Sequence, residues 1–439
     1  MKKLFALLLA VVMIFSLAAC GNSGNTDANA DINGSKSTDA DAEASGKGYD
    51  LVMWMFSDAT MNDQGALFDK WRSDFLSQHP EVNSIEFIAK GDSELLTGVT
   101  AGVGLPDVLF SSFTFGKPYR DAVDLLDLSD LYADTEWSDG FYKDAVGVTN
   151  VDGGYWAIPF MSYVPLIWRN LDALEAANID PSEGEPTMDA FLAHLRQVNE
   201  AGLVATHSWS AGGVYGPGAV MGADYEKYGN PLEIVDGKTT VEPTALTRTF
   251  EYILKLNEQG NSWAYSDDAA VEAFKSGEMA YLLGGPWDEP SWQQAGVNYD
   301  VVLVPPYEEG SNVYGGFFGW DGFYGLDSGD EGRNEAIKAW LKYLGSFDVM
   351  KEFTSVIGRP TLRESVMNDP DIQANPVAAV QAEGMEYTRL RIDYFTYPFY
   401  WITPVTDLAV KVADGSMTPE DASAQFVEDL NALYADAGA

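Results

Sequence analysis

Asp50-Leu51-Val52-Met53-Trp54 is a compact apolar run suited to a buried strand, and the segments that follow it decide the fold. Residues 65–78 place Leu67, Phe68, Trp71 and Phe75 on one helical face, and His79-Pro80 stops that helix. Residues 82–89 read as a second strand and 93–103 as a second helix, and Pro106-Asp-Val-Leu-Phe110 reads as a third strand. The order β-α-β-α-β predicts a parallel sheet covered by helices.

The same rhythm continues toward the C-terminus. Thr187 caps a helix carrying Phe191, Leu192, Leu195 and Val198, with Gly202 just past its end. Residues 244–259 form another helix, and 334–345 a third with Ile337, Trp340, Leu341 and Leu344 facing inward. Thr418-Pro419-Glu420-Asp421 starts a last helix, with Thr as its cap and Pro in the first turn. Asp327 to Glu331 is oxygen-rich but lacks calcium-loop spacing, and reads as the cap before the 334 helix. The expected fold class is α/β, in two lobes.

Upstream of this body, Lys2 and Lys3 precede an apolar core at residues 4–18 that is too short to span a bilayer. It closes on Leu17-Ala18-Ala19-Cys20, a bacterial lipobox pattern, which predicts a signal peptide over 1–19 and a lipid on Cys20. Residues 21–48 are rich in Gly, Asn, Ser, Asp, Ala and Thr, with no aromatic residue and almost no aliphatic one, so with Cys20 they read as a flexible tether. An exported protein anchored to the outer face of a bacterial membrane, in a Gram-positive-like context, is expected.

The 439 residues carry 26 Lys+Arg against 67 Asp+Glu, a net charge of -41 that repels phosphate backbones and excludes nucleic-acid binding. The 12 Trp, 22 Tyr and 22 Phe exclude a disordered acidic tail, and the single Cys excludes multi-cysteine metal sites. Phosphate-loop, H-E-x-x-H and G-x-S-x-G motifs are absent, and His79, His194 and His207 are scattered. No metal, cofactor or catalytic residue is assigned. The weight falls on binding.

Aromatic or Gly-rich turns recur at strand ends, where open α/β sheets place ligands. They are Trp54-Met-Phe-Ser-Asp58, Ser111-Ser-Phe-Thr-Phe115, Gly284-Gly-Pro-Trp-Asp288, Gly315 to Asp321, and the aromatic-rich Tyr394 to Trp401. A flat aromatic face suits the C–H-rich face of a sugar ring, with Asp, Ser and Thr meeting its hydroxyls.

The chain resembles the family 1 extracellular solute-binding proteins, the sugar-capturing lipoproteins of ABC importers, over residues 49–435. The resemblance rests on Gly102-Val-Gly-Leu-Pro-Asp-Val108, Gly154-Tyr-Trp-Ala-Ile-Pro-Phe160 and Val164-Pro-Leu-Ile167. It rests further on Ala273-Phe-Lys-Ser-Gly-Glu-Met-Ala280 with Gly284 to Trp287, and on Arg359-Pro-Thr-Leu-Arg-Glu-Ser365. It implies two α/β lobes with a hinge and an interlobe cleft, the first over 49–160 and 312–345, the second over 161–311 and 346–439. The implied ligand contacts are Trp54, Phe56, Asp58, Ser111, Ser112, Phe113, Ser162, Tyr163, Trp209, Trp287, Asp288, Trp320, Asp321, Arg359 and Trp401. Two departures stand out. Maltodextrin-binding relatives often carry a Trp where Ser111 stands, and Trp168-Arg169-Asn170 replaces their usual Tyr-Asn-Lys.

The implied partners are a neutral mono- or oligosaccharide and the transmembrane subunits of an ABC permease, with the chain itself a monomer. Two alternatives remain open: an aromatic cage with Asp58, Asp288 or Asp321 for a polyamine or quaternary amine, and a lipid-anchored glycoside hydrolase.

Overall fold

The structure, a computed structural model, describes residues 48–56, 59, 62–162, 164–208, 234–235, 238–239, 243–258, 267–306, 308, 321–387, 395 and 402–436. The expected signal peptide, Cys20 and nearly all of the tether lie outside the described residues. Along the chain the strands are β1 Tyr49–Phe56, β2 Val82–Lys90, β3 Val108–Ser112, β4 Asn150–Val151, β5 Gly154–Tyr155, β6 Ile158–Met161 and β7 Leu166–Asn170. They continue with β8 Val204–Ser208, β9 Ile234–Val235, β10 Lys238–Thr239, β11 Met279–Gly284, β12 Tyr299–Leu303 and β13 Asp321–Gly325.

Two larger sheets organise the body. The first has the order β2-β1-β3-β13-β6, and the second the order β12-β7-β11-β8. β1 runs parallel to both β2 and β3, as the β-α-β-α-β order requires. β13 returns antiparallel between β3 and β6. β1 is buried on both faces, as a strand sandwiched between helical layers must be. Leu51, Met53 and Met55 join Phe68, Trp71 and Phe75 of the Asn62–Gln78 helix, while Trp54 joins Leu95 and Val99 of the Asp92–Ala101 helix.

The Asp of the Pro-Asp-Val run locks this sheet. Asp107 Oδ2 accepts the Val52 N–H at 2.8 Å, and Arg333 Nε and Nη2 donate to the same carboxylate at 2.6 and 2.8 Å. One side chain thereby ties β1 to the Glu331–Leu344 helix. Asp330 caps that helix by accepting the Arg333 N–H at 3.0 Å, so the Asp327 to Glu331 loop acts as the expected cap region.

The second sheet packs the Met188–Glu200 helix on one face, where Phe191, Leu195 and Val198 meet Ile167 and Tyr281. Its other face meets the Pro243–Glu258, Ile402–Ala413 and Pro419–Asp436 helices. The Trp168-Arg169-Asn170 departure has structural work to do. Trp168 is fully buried, Arg169 pairs with Glu185 at 3.0 Å and with Asp300, and Asn170 caps the Leu171–Ala176 helix. Burial opposes ionisation of Glu185, but the His194 hydrogen bond and the Arg169 charge hold its carboxyl below the ordinary value.

Residues from 346 onward are expected in the second lobe, and Val349, Met350 and Phe353 of the Phe347–Ile357 helix pack in the same cluster as the first sheet's core. So do Val366, Met367 and Ile372. The apolar face of that helix fits against Trp71 and Phe160, which sequence spacing alone does not specify.

Candidate functional site

Strand direction gathers the candidate side chains. Phe56 ends β1, Ser112 ends β3, Met161 ends β6, and Asp321, which opens β13, pairs with both Ser112 and Met161. These four residues therefore share the carboxyl edge of the first sheet. The chain leaves this edge through residues 162–165 and enters β7 at Leu166, which pairs with Gly284 at the end of β11 and Leu303 at the end of β12. The carboxyl ends of β11 and β12 consequently lie beside the same crossing. Carboxyl edges of open α/β sheets are where such proteins bind ligands.

Arg359 joins the two edges. Its Nη1 lies 3.9 Å from Met161 Sδ, and its guanidinium stands 5.4 Å from the centre of a Trp287 ring in the turn that follows β11. Met161 also bridges to Thr361, and the Ser162 N–H donates to Pro360 O at 3.0 Å. Ser162 Oγ and Arg359 Nε are buried without a hydrogen-bond partner among the described residues. Two buried polar groups left open at one crossing are costly unless something else completes them.

Asp288 supports the turn from inside. Its Oδ2 accepts the Gly285 N–H at 3.1 Å, and Trp168 Nε1 donates to Gly285 O at 3.2 Å. Burial pushes the Asp288 carboxyl up to about 6, against the pull of the Gly285 N–H, the Trp168 indole and the Arg359 charge. The carboxylate thus holds the backbone beneath Trp287 and is itself buried.

Of the expected contacts, Phe56, Ser112, Trp287, Asp321 and Arg359 are partly exposed at or beside these edges, and Ser162 lies at the crossing. Ser112 spends its hydroxyl partly on the following turn, accepting from Thr114 N and Thr114 Oγ1 at 3.3 and 3.0 Å. Three expected contacts are placed differently. Trp54 packs beneath the Asp92–Ala101 helix, where a Cβ on Gly98 would come within 2.8 Å of its ring, and Lys90 Nζ covers it at 4.3 Å. Ser111 is fully buried and shares a 2.8 Å hydrogen bond with the Tyr119 hydroxyl. Phe113 is fully buried against Tyr324 and Phe395, at 5.7 and 5.6 Å. The cause is the helical layer, in which the Asp92–Ala101 helix covers Trp54 and Tyr119 takes the Ser111 hydroxyl. Asp288, expected to face the ligand, faces the turn. Asp58, Tyr163, Trp209, Trp320 and Trp401 lie outside the described residues.

Sequence reasoning missed Met161 and Thr361. Nothing in an apolar Met or a buried Thr signals a place beside the crossing. Only the neighbouring Arg359-Pro360 offered a clue.

The sequence pattern of the bacterial extracellular solute-binding proteins matches residues 79–380, well over half of the chain. A galactooligosaccharide-binding protein of Bacillus subtilis (strain 168) is 24% identical over 442 residues, covering 97% of this chain and 96% of its own. A maltotriose-binding protein of Pyrococcus abyssi (strain GE5 / Orsay) is 22% identical over 338 residues, covering 74% of this chain and 69% of its own. Among solved structures, a cyclic alpha-maltosyl-1,6-maltose binding protein from Arthrobacter globiformis superposes with a TM-score of 0.74 at 16% identity, over 88% of this chain and 99% of its own. That likeness establishes the two-lobed fold. With the family pattern running from the turn before β2 through β13 to residue 380, the chain belongs to the bacterial extracellular solute-binding protein family.

Proposed function

We propose that the chain is the substrate-capturing subunit of an ABC importer and takes a neutral mono- or oligosaccharide between the carboxyl edges of its two sheets. The observation that carries this reading is the Arg359 junction. An indole, a guanidinium and two open buried polar groups meet where the chain crosses between sheets. Trp287 supplies apolar surface for a pyranose face, Arg359 donates to sugar oxygens, and Ser162 can donate or accept. Phe56, Ser112 and Asp321 extend the same surface on the first sheet. The names of the Bacillus and Pyrococcus relatives, both oligosaccharide binders, support the substrate class.

The family is one of binding proteins, and the chain is a binding protein rather than a glycoside hydrolase. The amine reading loses ground at Trp287, because a guanidinium already lies over the ring that a ligand cation would need. No helix among the described residues is long and apolar enough to cross a membrane. We place the protein outside the cell as a monomer, held by lipid on Cys20 and delivering its ligand to permease subunits.

The test is a panel of mono- and oligosaccharides read by intrinsic Trp fluorescence and by melting temperature. A binding sugar quenches fluorescence and raises the melting temperature. Silence across a broad sugar panel, with a response to choline-like or polyamine ligands, would overturn the sugar assignment.

A further inference from the structure

Val164 lies in the first crossing between the sheets and is fully buried. It belongs to neither β6 nor β7, so its peptide groups have no ladder partner there. Buried peptide groups require hydrogen bonds. A single side chain supplies both: the Val164 N–H donates to Gln381 Oε1 at 2.9 Å, and Gln381 Nε2 donates to Val164 O at 3.0 Å. The primary amide reproduces the donor and acceptor pair of a neighbouring strand. Unlike a strand, it hangs on rotatable bonds and can follow a turning peptide.

Gln381 stands on the Pro376–Tyr387 helix, which touches both halves of the molecule. Ala378 and Ala382 join the first sheet's core, while the same helix packs against β12 of the second sheet. One turn beyond Gln381, Gly384 lies against the same crossing. A Cβ there would overlap Val164 Cγ1 and come within 2.8 Å of Leu303 Cδ2, just before the chain starts its second crossing. The helix thus bears on both crossings through one amide and one missing side chain.

We propose that Gln381 is a positioning residue for ligand capture, holding the Val164 peptide as a bearing about which the two sheets turn. The affinity part of this inference rests on the ligand-capture reading above, and the bearing itself does not. Gln381 is fully buried and both atoms of its amide bond the Val164 peptide, so it acts through Val164.

Two variants test it. Gln381→Ala removes both bonds, and Gly384→Ala presses on Val164 while leaving the bonds and favouring the helix. Hydrogen exchange on the apo protein should show the Val164 amide at least tenfold less protected in Gln381→Ala, on the order of one lost hydrogen bond. Small-angle scattering of both apo variants should show a changed distribution of sheet separations. With a binding sugar, dissociation constants should shift about fivefold or more with Trp287 untouched. Unchanged exchange at Val164 would overturn the bearing, as would faster exchange with unchanged scattering in both variants. If scattering shifts while no sugar binds even the parent protein, the bearing stands and the sugar reading falls.

Discussion

Asp288→Asn isolates the electrostatics of the turn under Trp287. The wild-type carboxyl titrates near 6 in the fold against an ordinary value of 3.8, because burial withholds water from its anion. A gap of about two pH units at 1.36 kcal/mol each sets a penalty on the order of 3 kcal/mol for holding the anion inside. The sign follows from a folded value above the unfolded one. Stability relative to the neutral side chain is complete below about pH 4, falls as pH rises through about 6, and stays low above. Asn is neutral throughout, and its Oδ1 can still accept the Gly285 N–H. The assay is thermal unfolding of both proteins from about pH 4 to about pH 8 without ligand. The melting curves should nearly coincide at the acid end, and the variant should pull ahead by a few degrees at the alkaline end. A variant that is less stable by a constant amount at every pH would refute the reasoning. It would mean that ionisation of Asp288 is not linked to folding and that the carboxyl supports the turn by a contact Asn cannot make.

Three further perturbations probe the site and the frame around it. Trp287→Ala should weaken sugar binding at least tenfold, about 1.4 kcal/mol, with an almost unchanged apo melting temperature, both measured by titration calorimetry and thermal unfolding. Asp107→Ala strips the Val52 N–H and both Arg333 donors of their acceptor, and urea unfolding should register a loss of about 2–3 kcal/mol, tempered by the partial exposure of Arg333. Gly98→Val forces a side chain against Trp54 and should cost about 1–3 kcal/mol in the same measurement while sugar affinity stays within about twofold. A large affinity loss there would return Trp54 to the binding surface.

The backbone order was legible because each element announced itself locally. β1, the helix after it and β2 fall within a few residues of the apolar runs that predicted them, and Thr187 caps its helix by accepting the Ala190 N–H. The site was less legible because its residues are defined by how far a helix covers the strand they occupy. Trp54 and Phe56 lie two residues apart on one strand, yet Trp54 is covered by a helix and Phe56 stands at the strand's end, half-exposed against Phe110. Where a helix stops covering a sheet is a tertiary fact. The same holds for Val349 and Phe353, whose apolar face would fit either sheet until Trp71 and Phe160 are in place. Gln381 was invisible for a different reason, since its partner is a peptide group more than 200 residues away, and a sequence does not mark which peptides lack a ladder.

The charge imbalance bears on how Arg359 works. With 67 carboxylates against 26 Lys and Arg, a cation in this chain is surrounded by acids able to pair with it. Arg333 and Arg169 are both taken in this way, each forked onto an acid that fixes the fold. Arg359 forms no ion pair within 4.0 Å among the described residues, although Asp288 is near enough to feel its charge. The separation keeps both groups in working order. A direct contact would draw the Asp288 carboxyl down toward the ordinary carboxylate range, and would spend the guanidinium fork on an internal partner. Held apart, Asp288 serves the turn and Arg359 keeps donors for a ligand rich in acceptors. A neutral sugar satisfies those donors with its oxygens and brings no charge that 67 acids would repel. The acidity that excluded phosphate and nucleic acid at the outset therefore leaves room for a ligand of this class, and the contact proposed for it is an arginine that no carboxylate among the described residues has claimed.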